Sequence, residues 1–112
     1  ARPTGGAWYE GSDLLSLAKA AGIVEACFYE PSALRVKADL CDVKRRLKGQ
    51  GRLRGILRPA YPDFTDRGEF IAAVAALAEN GVPEIAFYNW GHLRSANIAW
   101  IGEALSVLDK KP

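Results

Sequence analysis

The chain has 112 residues, 49% hydrophobic and 25% charged, a composition that excludes a disordered, collagen-like or disulfide-scaffold protein and suits one packed core. Its 15 basic and 13 acidic residues leave a formal charge of +2, too balanced for the field of a nucleic-acid-binding surface. No apolar stretch approaches the roughly 20 residues of a spanning helix and no secretory leader opens the sequence, so the expectation is a cytoplasmic protein without a membrane partner.

Hydrophobic periodicity predicts the order α-β-α-β-α-β-α. Ser12 or Asp13 caps a first helix with apolar positions Leu14, Leu15, Leu17, Ala18 and Ala21, and Gly22 ends it. Residues 23–29 read as a strand. After Pro31-Ser32 a second helix spans about 33–47 and buries Ala33, Val36, Leu40, Val43 and Leu47. A second strand covers 53–57. Thr65 or Asp66 caps a third helix with the stripe Phe70, Ile71, Val74 and Leu77, and Asn80-Gly81 stops it. A third strand covers 84–88, and Ser95 opens a last helix carrying Ile98, Trp100, Ile101, Leu105 and Leu108. Helical crossovers between strands require a parallel sheet.

An internal repeat organises these elements. Arg2-Pro3, a helix, Gly22-Ile23 and Glu25-Ala26-Cys27-Phe28-Tyr29-Glu30 are answered by Arg58-Pro59, a helix, Gly81-Val82 and Glu84-Ile85-Ala86-Phe87-Tyr88-Asn89. Arg58-Pro59 follows a strand, so Arg2-Pro3 is expected to follow one as well. The expectation is therefore a piece of a longer chain whose first strand is missing. Restored, it comprises four βα units, half of a (β/α)8 barrel.

In parallel α/β folds the ligand site lies beyond the carboxyl ends of the strands, and the polar residues gather there. Arg2, Tyr29, Arg58, Tyr61, Asp63, Tyr88, Asn89, Trp90 and Arg94 are the candidate binding residues, of the types that hold a hydroxylated or anionic small molecule. Glu30 is the carboxylate that immediately follows a strand and a candidate for catalysis, against the plainer role of a partner for Arg2 or Arg58. Alternation leaves open which set faces the ligand side, Val24, Ala26, Phe28 and Glu30 or Glu25, Cys27 and Tyr29. The former set is the more apolar.

His92, the single histidine, is the candidate proton-transfer group, against a plain loop position. With no second histidine and no Cys-x-x-Cys spacing, neither a metal nor another cofactor is expected, and Cys27 and Cys41 read as reduced, packed thiols, although a bridge between them is compatible with the sequence. Lys44, Arg45, Arg46, Lys48, Arg52 and Arg54 form a basic stretch that reads as a solvated helix end suited to the helix dipole rather than a nucleic-acid contact. Gly49-x-Gly51 lacks the spacing of a phosphate loop. Trp8 and Trp90 are available to stack on a sugar, and Trp100 belongs to a helix stripe.

The stretch from Arg58 to Trp100, with Arg-Pro-x-Tyr-Pro-Asp and Phe-Tyr-Asn-Trp-Gly-His, resembles the last two βα units of bacterial TIM-barrel proteins related to glycoside hydrolases. The resemblance implies a carbohydrate site at the strand ends, with carboxylates as acid and nucleophile. A second carboxylate is then expected in the other half, since the reaction needs two at roughly 5–9.5 Å separation. The partner implied is the missing half of the barrel or a second copy. The alternative is a non-catalytic half-barrel that self-associates.

Overall fold

A computed structural model describes residues 14–60, 63–88 and 94–109. Four helices alternate with three strands: α1 (Leu14–Ala21), β1 (Ile23–Cys27), α2 (Ala33–Leu47), β2 (Arg52–Leu57), α3 (Arg67–Glu79), β3 (Glu84–Phe87) and α4 (Ser95–Asp109). The strands form one parallel sheet in the sequential order β1-β2-β3. Val24 lies opposite Leu53, Ala26 opposite Gly55, Gly55 opposite Ile85, and Leu57 opposite Phe87.

Sequential order has a geometric consequence, because each right-handed crossover carries its helix to the same side of the sheet. Accordingly α1 packs on α2, α2 on α3 and α3 on α4. The core lies between this helical layer and one face of the sheet. Val24, Ala26, Phe28, Leu53 and Leu57 meet Val36, Leu40 and Val43 of α2 and Phe70, Ala73, Val74 and Leu77 of α3 in one cluster. Phe28, Phe64 and Phe70 are fully buried and supply its largest side chains. Phe70 is the hub, with ring centroids 5.5 Å from Phe64, 5.9 Å from Phe87 and 6.1 Å from Trp100.

The helix stripes hold with two corrections. In α4 the position sealed against the core is Ala104, whereas Leu105 is 45% exposed, and in α1 Leu14 and Ala18 are buried while Leu17 faces solvent. Cys41, expected to be packed, is an exposed thiol on α2, and Cys27 is half-buried; both are free. β1 ends at Cys27 and β3 at Phe87, a residue or two short of the apolar runs, and β2 begins one residue early.

Asp66 caps α3, its carboxylate accepting from the Glu69 N–H at 3.0 Å, and Ser32 caps α2 by accepting from Arg35 N–H at 3.3 Å. Two glycines are dictated by space. Gly51 has φ +74°, and a Cβ there would sit 2.9 Å from Ala18 Cβ; at Gly55 a Cβ would come within 3.2 Å of Leu77 Cδ1 and 3.3 Å of Phe28 Cε2. Glycine in β2 thus lets α3 and Phe28 approach the sheet backbone.

Among the described residues, no helix is long and apolar enough to cross a membrane.

Candidate functional site

The face of the sheet turned away from the helices is built in layers, because alternate residues of three registered strands stand side by side. Nearest the amino ends, Arg54 of β2 lies between Glu25 of β1 and Glu84 of β3, bonded to Glu25 Oε1 at 2.5 Å and to Glu84 Oε2 at 3.1 Å. Arg52 adds a second contact to Glu84 at 3.2 Å. Cys27, Ile56 and Ala86 form the middle layer, all half-buried.

The third layer stands just past the carboxyl ends and joins four of the sequence-predicted binding residues. Tyr29 and Tyr88 project from the two outer strands, with Arg58 between them. Backbones two strands apart are separated by about 9.6 Å, twice the spacing of neighbours. The two ring centroids are 6.2 Å apart, so both tyrosines lean in over β2. The Arg58 guanidinium carbon lies 4.7 Å from the Tyr29 ring centroid, a cation–π contact. Arg58 Nε donates to Asp63 Oδ2 at 2.8 Å and Nη2 to Oδ1 at 3.2 Å, a two-point fork.

Asp63 is held where the fork needs it. A turn in which the Asp63 and Phe64 N–H groups both donate to the Ala60 carbonyl carries the carboxylate back over the strand end, and buried Phe64 anchors that turn in the core. Asp63 is the buried charged residue of the described chain, 8% exposed. Asn97 of α4 donates to the Pro59 carbonyl at 2.6 Å and so fixes the backbone next to Arg58. On the neighbouring loop, Glu69 of α3 accepts from Ala33 N–H at 2.8 Å, tying the start of α2 to α3.

The electrostatics follow from these neighbours. Burial, then the adjacent Cys27 side chain, pushes the Tyr29 phenol up to about 12, against the opposing pull of Arg58. Tyr29 is therefore a neutral hydroxyl at any physiological pH. The Asp63 hydrogen bonds raise Arg58 above its ordinary value, so its charge is permanent. The layer thus offers two phenols, two apolar ring faces and an internally neutralised ion pair. Such a set is able to hold and orient polar groups, and among the described residues it contains no free carboxylate to move a proton.

Glu30 lies outside this cluster. It turns toward α2, 3.9 Å from Arg35, and its charge acts on Asp39 of that helix. Burial and the Glu30 carboxylate push Asp39 up to about 6, with Arg35 opposing. The partner expected for Glu30 was Arg2 or Arg58; Arg58 is instead taken by Asp63. Arg94 is exposed at the start of α4, its carbonyl accepting from Asn97 and Ile98 N–H groups. Arg2, Tyr61, Asn89, Trp90 and His92 lie outside the described residues, as do Trp8 and the cap positions Ser12 and Asp13. No group of three or more metal-ligating side chains occurs among the described residues.

Most of the basic stretch is engaged within the fold, with part of its charge offset by Asp42, Glu25 and Glu84. Arg45 and Arg46 both pair with Asp42, Arg52 and Arg54 pair with Glu84, and Lys44 donates to the Asn80 carbonyl. Cys27, Asn97 and Glu69 are the site residues missed by sequence reasoning. Strand parity placed Cys27 on the Tyr29 side, which was the available signal; Asn97 and Glu69 act across 38 and 36 residues and carry none. Compared with protein-family models, curated proteins and solved structures, the chain matches none.

Proposed function

We propose that this chain is part of a (β/α)8 barrel related to bacterial glycoside-hydrolase-like proteins, and that it contributes a carbohydrate-binding surface at the carboxyl ends of its strands. The observation that carries the reading is the convergence of Tyr29, Tyr88 and Arg58 over one strand end, with Tyr88 still 48% exposed. Aromatic faces beside fixed hydrogen-bond donors suit a sugar ring, which has apolar C–H faces and a rim of hydroxyls. Sequential parallel strands with helices to one side are also how a barrel wall is built. Hydrolysis is assigned to the complete barrel, with Glu30 and His92 as its candidate groups here; the chain alone binds without turnover. Free thiols at Cys27 and Cys41 suit a reducing, cytoplasmic setting.

The test is an NMR titration of the chain with mono- and oligosaccharides. Shifts confined to Tyr29, Arg58 and Tyr88, and abolished by Tyr88→Ala, support the reading; saturating sugar without such shifts refutes it.

A second reading draws on a separate observation. Cys27, Ile56 and Ala86 form a half-buried apolar band on the sheet face opposite the helices, and Ile23 beside it is 45% exposed. A binding module that covers this band with the rest of its barrel, or with a second copy, fits that pattern. Light scattering distinguishes it, since a dimer without sugar affinity favours assembly over ligand binding.

A further inference from the structure

The Arg58 fork bears on which ligands the strand-end site accepts. A guanidinium recognises a carboxylate or phosphate best through two parallel N–H bonds along one edge. In this protein the Nε/Nη2 edge already holds such a group, the carboxylate of Asp63, at 2.8 and 3.2 Å. One flat face of the guanidinium is covered by the Tyr29 ring at 4.7 Å. Asp63 cannot withdraw easily, because its turn is pinned by the Ala60 carbonyl and by fully buried Phe64. An incoming anion would have to displace a carboxylate that is only 8% exposed and leave it unpaired, the costly way to break a buried ion pair.

An anion that did not displace Asp63 would meet its negative charge at close range instead. An uncharged hydroxyl meets neither obstacle. It can accept from Nη1 of Arg58, or exchange hydrogen bonds with the phenols of Tyr29 and Tyr88, without disturbing the pair. The other described arginines at this end, Arg35, Arg67 and Arg94, are exposed, and Arg35 and Arg67 already face the carboxylates of Glu30 and Glu103, so solvent and salt screen their pull on an anion.

We propose that Asp63 sets the charge class of the ligand: by occupying the edge of Arg58 it makes the strand-end site take uncharged, hydroxylated rings and refuse rings that carry a carboxylate or phosphate. The inference rests on the carbohydrate reading for the ring itself, and on the Arg58–Asp63 geometry alone for the exclusion of anions.

The experiment pairs methyl glucoside with methyl glucuronoside, which differ by a carboxylate on the same ring, and adds inorganic phosphate as a probe independent of sugar. The full chain and Asp63→Asn are titrated by NMR. The wild type is expected to bind the glucoside about tenfold more tightly than the glucuronoside, the scale of a single charge-assisted hydrogen bond, and Asp63→Asn to reverse the order. Equal or tighter binding of the glucuronoside by the wild type overturns the proposal without any variant. So does unchanged preference in Asp63→Asn that keeps the wild-type circular dichroism spectrum. If neither sugar binds, the carbohydrate reading fails and phosphate decides: uptake by Asp63→Asn but not by the wild type sustains the gate, whereas uptake by both or by neither refutes it. Should Asp63→Asn not fold, Asp63→Ser takes its place, because it also vacates the Nε/Nη2 edge of Arg58 without leaving a carboxylate; loss of the wild type's preference for the uncharged probe is then required and its retention refutes the proposal.

Discussion

Arg54 within β2 and Arg58 just past its carboxyl end stand on the same face, four residues apart, yet they make different structures. Arg54 is flanked by glutamates from both neighbouring strands and closes into a flat ladder of charges. Arg58 is flanked by tyrosines from those same strands and receives its carboxylate from a loop that folds back over the strand end. The difference shows where this sheet leaves polar groups available for further contacts. Carboxylates carried by strands neutralise an arginine within the plane of the sheet and leave it nothing else to bind, whereas a carboxylate carried by a loop fixes one edge and leaves ring faces and donors around it.

The largest effect is expected where the carboxylate is most buried. Asp63→Ala should destabilise the chain by about 2 kcal/mol in urea unfolding, less than a fully buried pair because Arg58 itself is 28% exposed. Between the two arginines, Gly55→Ala should cost about 1 kcal/mol, because Leu77 and Phe28 are fully buried and have little room to retreat from the added methyl. A neutral result there would mean that the helical layer slides more freely than its packing implies.

A third carboxylate group, Glu30 with Asp39, lies next to the upper layer in sequence but not within it. The folded state raises Asp39 from 3.8 to about 6, so it holds this proton more tightly than the unfolded chain does. The associated stability is present below pH 3.8 and is lost as pH rises toward 6. Asp39→Asn should therefore become more stable than the wild type above that window, and equal stabilities at pH 5 and pH 7 in both proteins would separate Asp39 from folding. The smallest effect is expected at the lower layer. Arg54→Gln, solvated on its open face, should shift the urea midpoint less than Asp63→Ala and lose its remaining effect in high salt. If it matches Asp63→Ala, the contrast between the layers is wrong.

Much of this was legible in the residues. The repeated Glu-x-x-Phe-Tyr of β1 and β3 encodes the whole cross-section: glutamate toward Arg54, phenylalanine into the core, tyrosine toward Arg58. Alternation alone left the direction undecided. It is settled by Phe28, whose fully buried ring packs against the helices and turns Tyr29 the other way. Caps were readable because Ser32 and Asp66 act on their own backbone within three residues. Glu30 was read as a strand-end carboxylate, yet its partners Arg35 and Asp39 come from the next helix, where nothing in local spacing announces them. Leu105 fits the periodicity of α4 but finds no opposing surface among the described residues, since a stripe predicts which side of a helix faces inward and not how far the neighbouring layer extends.

The sequential strand order bears finally on the speed of folding. Pairing Ile23 with Arg52 closes a segment of 29 residues, and pairing Arg54 with Glu84 closes one of 30. Loop-closure entropy depends only logarithmically on such lengths, so the two events are almost equally difficult. Neither pairing has to wait for a distant part of the chain, and either βα unit can serve as the nucleus onto which the other condenses.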